Sequence, residues 1–172
     1  MTIEKLSPFH IFSGLERDDA QAICSAFKTD TYDPGEDVLH EGASIPALWI
    51  ILSGECEVFR SCPKNGTYRL AELKAGDVFG EMSFFHPAPH SATVRAVTPL
   101  TVGCYGRSDF LKLAEQSPQA AFRVSSNVAA VLSERLRSMD NWICELMSHP
   151  DAGHRRDEWQ TFRSAVYSNW DF

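Results

Sequence analysis

Between residues 29 and 107 the chain is cut into short pieces by glycine, and this punctuation constrains the fold more than any other feature. Gly35, Gly42, Gly54, Gly66 and Gly76 fall between runs rich in β-branched and aromatic residues, such as Leu48-Trp49-Ile50-Ile51-Leu52 and Cys56-Glu57-Val58-Phe59. Runs this short are strands, and glycine is the residue that turns sharply between them. Many short strands at near-regular spacing close into a roll or barrel, which also hides their edges.

The flanks change period. Residues 3–28 carry apolar side chains at three- and four-residue spacing (Ala20, Ile23, Cys24, Phe27), which predicts a helical lead-in with Ser13 or Asp18 as a cap. Residues 108–148 are helical again. Ser108 is placed to cap a short helix carrying Phe110, Leu111 and Leu113, and Ser117-Pro118 opens a longer one that Pro150 stops near Ser148. Such a helix would be about 45 Å long. Its stripe of Val128, Leu132, Leu136, Met139, Ile143 and Leu146 ends in alternating three- and four-residue steps, the spacing of a coiled-coil seam. Self-pairing of two copies through residues 117–148 is therefore expected. Residues 149–172 form an aromatic-rich tail in which Trp159, Phe162 and Val166 suggest a short final helix, followed by Trp170 and Phe172. The expected organisation is one α+β, mainly β domain over residues 1–148 and a tail over 149–172.

Composition narrows the function. Sixteen basic against 23 acidic residues give a formal charge of −7, and neither half of the chain is basic, so DNA is not an expected partner. No run approaches the ~20 apolar residues of a spanning helix, and no secretory leader is visible, so the expected location is the cytoplasm, away from membranes. The five cysteines lack C-x-x-C spacing and are expected to be reduced thiols, with no metal bound. Nucleophile triads, G-x-x-x-x-G-K and H-E-x-x-H are all missing, so no enzyme activity is expected.

The most informative segment is Ala75-Gly76-Asp77-Val78-Phe79-Gly80-Glu81-Met82-Ser83-Phe84-Phe85, followed by Pro89-His90-Ser91-Ala92-Thr93-Val94-Arg95-Ala96. It resembles the phosphate-binding cassette of cyclic-nucleotide-binding domains. The upstream runs Pro34-Gly35-Glu36-Asp37-Val38-Leu39-His40-Glu41-Gly42 and Pro8-Phe9-His10-Ile11-Phe12-Ser13-Gly14-Leu15 resemble that family's roll framework and N-terminal lead-in. The likeness runs from residue 6 to about 147. It implies a β-roll with N-terminal helices, a short cassette helix and a long C-terminal helix.

The resemblance also implies a ligand, cyclic AMP or cyclic GMP, and no cofactor. Its site would comprise Phe79, Gly80, Glu81, Met82 and Ser83 with His90, Ser91, Ala92 and Thr93. Gly80 would let the backbone approach the ligand, and Glu81 would accept from a ribose hydroxyl. Amides around Met82 and Ser83, with Ser91 and the backbone at Ala92, would face the cyclic phosphate.

One position departs from the family. His90 stands where the cassette has an arginine. An arginine supplies a permanently charged fork, whereas a histidine titrates near pH 6.5 and is largely neutral at pH 7. Weakened, pH-dependent binding follows, by roughly ten- to hundredfold if a charge-assisted bond is lost. Arg95 falls on the opposite face by strand alternation and is no evident substitute.

Regulators of the catabolite-activator and fumarate–nitrate type share the roll and long helix, and there a helix-turn-helix follows. Too little chain follows Ser148 here for such a unit, so output is expected through a partner protein or the dimer. The leading expectation is a regulatory sensor or adaptor. The alternative is a ligand-free dimerising module, motivated by His90 and the bulk of Phe84-Phe85. A haem sensor built on His86, His90 and Cys56 has no ligand spacing behind it.

Overall fold

The structure, a computed structural model, describes residues 1–62 and 66–148; the side chains of Cys62 and of residues 146–148 fall outside the described set. The expectations for Leu146 and for the tail from Trp159 to Phe172 lie there too. The chain divides into two units, Met1–Val128 and Ala129–Phe172.

The first unit opens with α1 (Ile3–Leu6), a 3-10 turn at His10–Phe12 and α2 (Arg17–Ala26). The lead-in is thus broken rather than continuous. Neither expected cap is used. Glu16 occupies the N-cap of α2 without a side-chain hydrogen bond, and the carbonyl of Ser13 instead accepts from Asn127 Nδ2 at 3.1 Å.

Eight strands follow among the described residues: β1 (Lys28–Tyr32), β2 (Asp37–Leu39), β3 (Ala47–Ser53), β4 (Glu55–Cys62), β5 (Gly66–Lys74), β6 (Val78–Phe79), β7 (Thr93–Ala96) and β8 (Leu100–Gly106), with the short helix α3 (Glu81–Phe85) between β6 and β7. They form two antiparallel four-stranded sheets in the orders β1-β8-β3-β6 and β2-β7-β4-β5. All five turn glycines read from the sequence take positive φ. The core lies between the sheets. Trp49, Ile51, Phe79, Leu100 and Val102 from one meet Val38, Leu39, Cys56, Val94 and Ala96 from the other. This is a mainly β, α+β roll.

A second apolar system ties the flanking helices to the roll. Phe12 meets Phe27 edge-on, Phe27 stacks on Tyr105, and Phe84 lies against Tyr105, Phe85 and Phe110. Such ring pairs add about 0.5–1.5 kcal/mol each beyond their buried area. Helix α4 (Arg107–Gln116) supplies Phe110 and buried Leu113. Its N-cap is Gly106, with no side-chain bond, so the expected role of Ser108 is not observed.

Helix α5 (Pro118–Ser148) begins at the proline expected from Ser117-Pro118. In the first unit it buries Ala120, Ala121, Val124 and Val128. Asn127 there holds the lead-in, donating to the Ile11 and Ser13 carbonyls at 3.2 and 3.1 Å. In the second unit Leu136, Met139 and Trp142 are exposed.

Candidate functional site

Two arms carry the cassette residues. The first is the β6–α3 turn. Phe79 ends β6, buried and stacked on Trp49 with ring centroids 5.5 Å apart. Gly80 is the N-cap of α3 at φ 82°, ψ 1°, a left-handed conformation that residues with a β-carbon adopt at a cost. A β-carbon here would stand 2.5 Å from Trp49 Cε3 and 2.8 Å from the Ala47 carbonyl oxygen. The absent side chain therefore makes room for β3, a demand of the fold beside the ligand approach expected of this glycine.

The turn next sorts its side chains. Glu81 is only 5% exposed and Ser83 is buried, whereas Met82 is 62% exposed. Burying a carboxylate requires partners, and Glu81 has an interaction within the fold. Phe84 is directed at Tyr105 and Phe110, and Phe85 also meets Phe110. The bulk of this pair anchors α3 on α4.

The second arm runs from His90 to Thr93. Ser91 is exposed, Ala92 and Thr93 are buried, and Thr93 Oγ1 accepts from the Glu41 amide at 3.0 Å. His90 is 5% exposed. Its backbone is clamped to the 40–46 loop, accepting from the Gly42 amide at 2.8 Å and donating to the Ala43 carbonyl at 2.9 Å. The ring reaches the same loop, with Nε2 2.9 Å from the Ile45 carbonyl oxygen, and meets Trp49 edge-on at 5.7 Å. Phe79, Gly80 and His90 thus converge on a single indole.

Arg95 is committed elsewhere. Its Nε and Nη2 donate to Asp37 Oδ1 and Oδ2 at 2.6 and 3.1 Å, and its guanidinium lies 4.7 Å from the Phe59 ring centre. His40 Nδ1 approaches the same carboxylate at 3.2 Å. The Arg95 fork holds the Asp37 carboxyl below the usual carboxylate range, against the opposing effect of partial burial. Sequence reading missed this pair, and the alternation it used to separate Arg95 from His90 holds only within β7, which begins at Thr93. A shallow hollow of about 480 Å³ lined by Thr31, Tyr32, Gly35, Glu36, Asp37 and His40 shares no residue with the cassette.

Among the described residues no three histidine, cysteine or acidic side chains are grouped to hold a metal ion. His86 is exposed and Cys56 is buried in the core between the sheets, its thiol pushed up to about 11 chiefly by burial. No helix among the described residues is long and apolar enough to cross a membrane.

The chain is similar to known proteins in sequence and fold. Residues 29–117 match the family described as the cyclic nucleotide-binding domain. The chain is 31% identical over 145 residues to the cyclic AMP receptor protein of Thermus thermophilus, a match covering 84% of this chain and 65% of that protein. It is 31% identical over 108 residues to a cAMP-dependent protein kinase regulatory subunit of Debaryomyces hansenii, covering 63% of this chain and 23% of the subunit. It thus spans less than two thirds of either relative. Its fold is similar to a cyclic nucleotide-binding domain from Methylobacillus flagellatus, with a TM-score of 0.76 at 23% identity over 87% of this chain and 84% of the other. With over half of its 172 residues inside the matched segment, the chain belongs to the cyclic nucleotide-binding domain family.

Proposed function

We propose that the chain is a non-catalytic regulatory sensor that binds a cyclic nucleotide, cyclic AMP or cyclic GMP, between Phe79–Ser83 and His90–Thr93. The observation carrying this reading is the β6–α3 turn, where a left-handed Gly80 leads into a buried Glu81 and a buried Ser83. A carboxylate kept inside a turn beside exposed Met82 is the feature a sugar hydroxyl would use. The names of the relatives, a cyclic AMP receptor protein and a cAMP-dependent protein kinase regulatory subunit, support the same ligand class. The packing of Phe84 and Phe85 on α4 removes one reason to think the pocket filled.

Signal output would pass through α5, either to a partner protein or to a second copy paired along Leu136 and Met139. The acidic balance of the chain disfavours direct contact with DNA. Cysteines at 24, 56, 104 and 144 without disulfides suit the reducing cytoplasm.

Calorimetric titration of the pure protein with cyclic AMP and cyclic GMP tests the reading. Saturable binding with one ligand per chain is the expected result, and absence of heat and of thermal stabilisation up to millimolar ligand would reject it. A second reading, a ligand-free dimerising module, is favoured by the bond from His90 to the Ile45 carbonyl, which gives the histidine a structural task. That module would dimerise and show no thermal shift.

A further inference from the structure

The hydrogen bond between His90 and Ile45 sets a condition on any anion that meets this ring. A carbonyl oxygen only accepts, so Nε2, 2.9 Å from the Ile45 oxygen, must carry a hydrogen in every charge state of the ring. In the neutral imidazole the second nitrogen, Nδ1, is then a bare lone pair, which repels a phosphate oxygen. Only the imidazolium offers a donor there.

The ring has little freedom to escape this assignment. It is buried, its backbone is bonded to Gly42 and Ala43, and Trp49 flanks it. Turning Nε2 toward a ligand would give up its bond to the Ile45 carbonyl, which would keep only the Ala47 amide at 2.9 Å. Among the described residues no side-chain nitrogen or oxygen sealed from solvent lacks a hydrogen-bond partner. Nε2 makes the hydrogen bond of this ring, so Nδ1 keeps solvent access.

The charged and titratable groups on neighbouring elements are already engaged or exposed. On the 40–46 loop, His40 lies on Asp37, and Glu41 lies on Arg60 and the Ser61 amide. Helix α3 carries Glu81, which has a partner, and is followed by exposed His86. Strand β7 carries Arg95, bound to Asp37, while β3 has no titratable side chain. No permanent cation on these elements stands ready for a phosphodiester.

We propose that His90 contacts the cyclic phosphate through Nδ1 as the imidazolium, so that binding takes up one proton and the site is gated by pH. The proposal rests on the cyclic-nucleotide reading above and adds its regulation. Two inputs, ligand and proton, would then be read by one residue.

The test is calorimetry with cyclic AMP and cyclic GMP from about pH 6 to 8.5, repeated in buffers of different ionisation enthalpy to count protons taken up. Uptake approaching one proton is expected on the alkaline side, with affinity falling about tenfold per pH unit there. His90→Gln keeps a donor for Ile45 but cannot charge, so its binding should be weak and flat with pH. His90→Arg should bind without proton uptake. Wild-type binding with no proton uptake would overturn the coupling and leave the cyclic-nucleotide reading standing. Absence of wild-type binding at every pH would overturn both. Should His90→Gln fail to fold in a thermal melt, the wild-type proton count decides alone.

Discussion

The indole of Trp49 occupies the space where a β-carbon on Gly80 would project, 2.5 Å from Cε3 and 2.6 Å from Cζ3. The cassette turn and the third strand are thus locked by an absent atom. Gly80→Ala must carry a left-handed backbone and displace a ring, at about 1–2 kcal/mol for the backbone and about 1–3 for the overpacking. A loss of about 2–5 kcal/mol in urea unfolding is expected. A change under 1 kcal/mol would mean that Trp49 yields freely.

Glu81→Gln should lower cyclic-nucleotide affinity about ten- to hundredfold, the weight of a hydrogen bond to a charged acceptor. The comparison ligand is the 2′-deoxy analogue, which lacks the ribose hydroxyl. It should bind wild type and variant almost equally. If the variant loses as much toward the deoxy ligand, Glu81 supports the turn rather than the sugar.

Arg95 holds Asp37 below its ordinary titration range, with a direct consequence in acid. A carboxyl depressed in the folded chain contributes stability above the unfolded value, near pH 4, and loses it as pH falls through the folded value. Asp37→Asn should therefore cost about 1 kcal/mol at pH 7, scaled for a partly exposed pair, and progressively less below pH 4. Equal losses at pH 7 and pH 3 in urea melts would contradict this.

Cysteine labelling should be sharply graded. Cys144 is exposed, while Cys56 is buried with its thiol pushed up to about 11. At pH 8, iodoacetamide should modify Cys144 within minutes and leave Cys56 untouched until denaturant is added. Early modification of Cys56, located by peptide mass, would show that the roll opens readily.

Pairing along α5 is tested by charge. Leu136→Glu with Met139→Glu places carboxylates on two exposed apolar positions of the expected seam. Sedimentation equilibrium should change from dimer to monomer with the thermal melt of the roll intact. A wild-type monomer at 100 µM would remove the dimer.

Local chemistry was the legible part. Glycines that had to turn announced the strands, and Ser117-Pro118 announced α5 at its first residue, because neither signal needs a distant partner. What escaped were the long-range choices. Ser13 and Ser108 look like caps, but a cap is typically worth about 1 kcal/mol and packing overrode both. Ser13 gives its carbonyl to Asn127, far along the chain. His90 stood out as a departure, yet its bond to Ile45 crosses a separation that no sequence window spans. The strand alternation used to set Arg95 apart from His90 stops at Thr93, where β7 begins, and it is the bond to Asp37 that takes Arg95 away.

The file of rings from Phe12 through Phe27 and Tyr105 to Phe84 matters for anyone transplanting this roll as a biosensor. The family match begins at residue 29, yet two rings of the file precede it. A graft trimmed to the matched segment would leave Tyr105 without its stacking partner and loosen the support beneath the cassette helix. The portable unit starts upstream of the boundary that the family match draws.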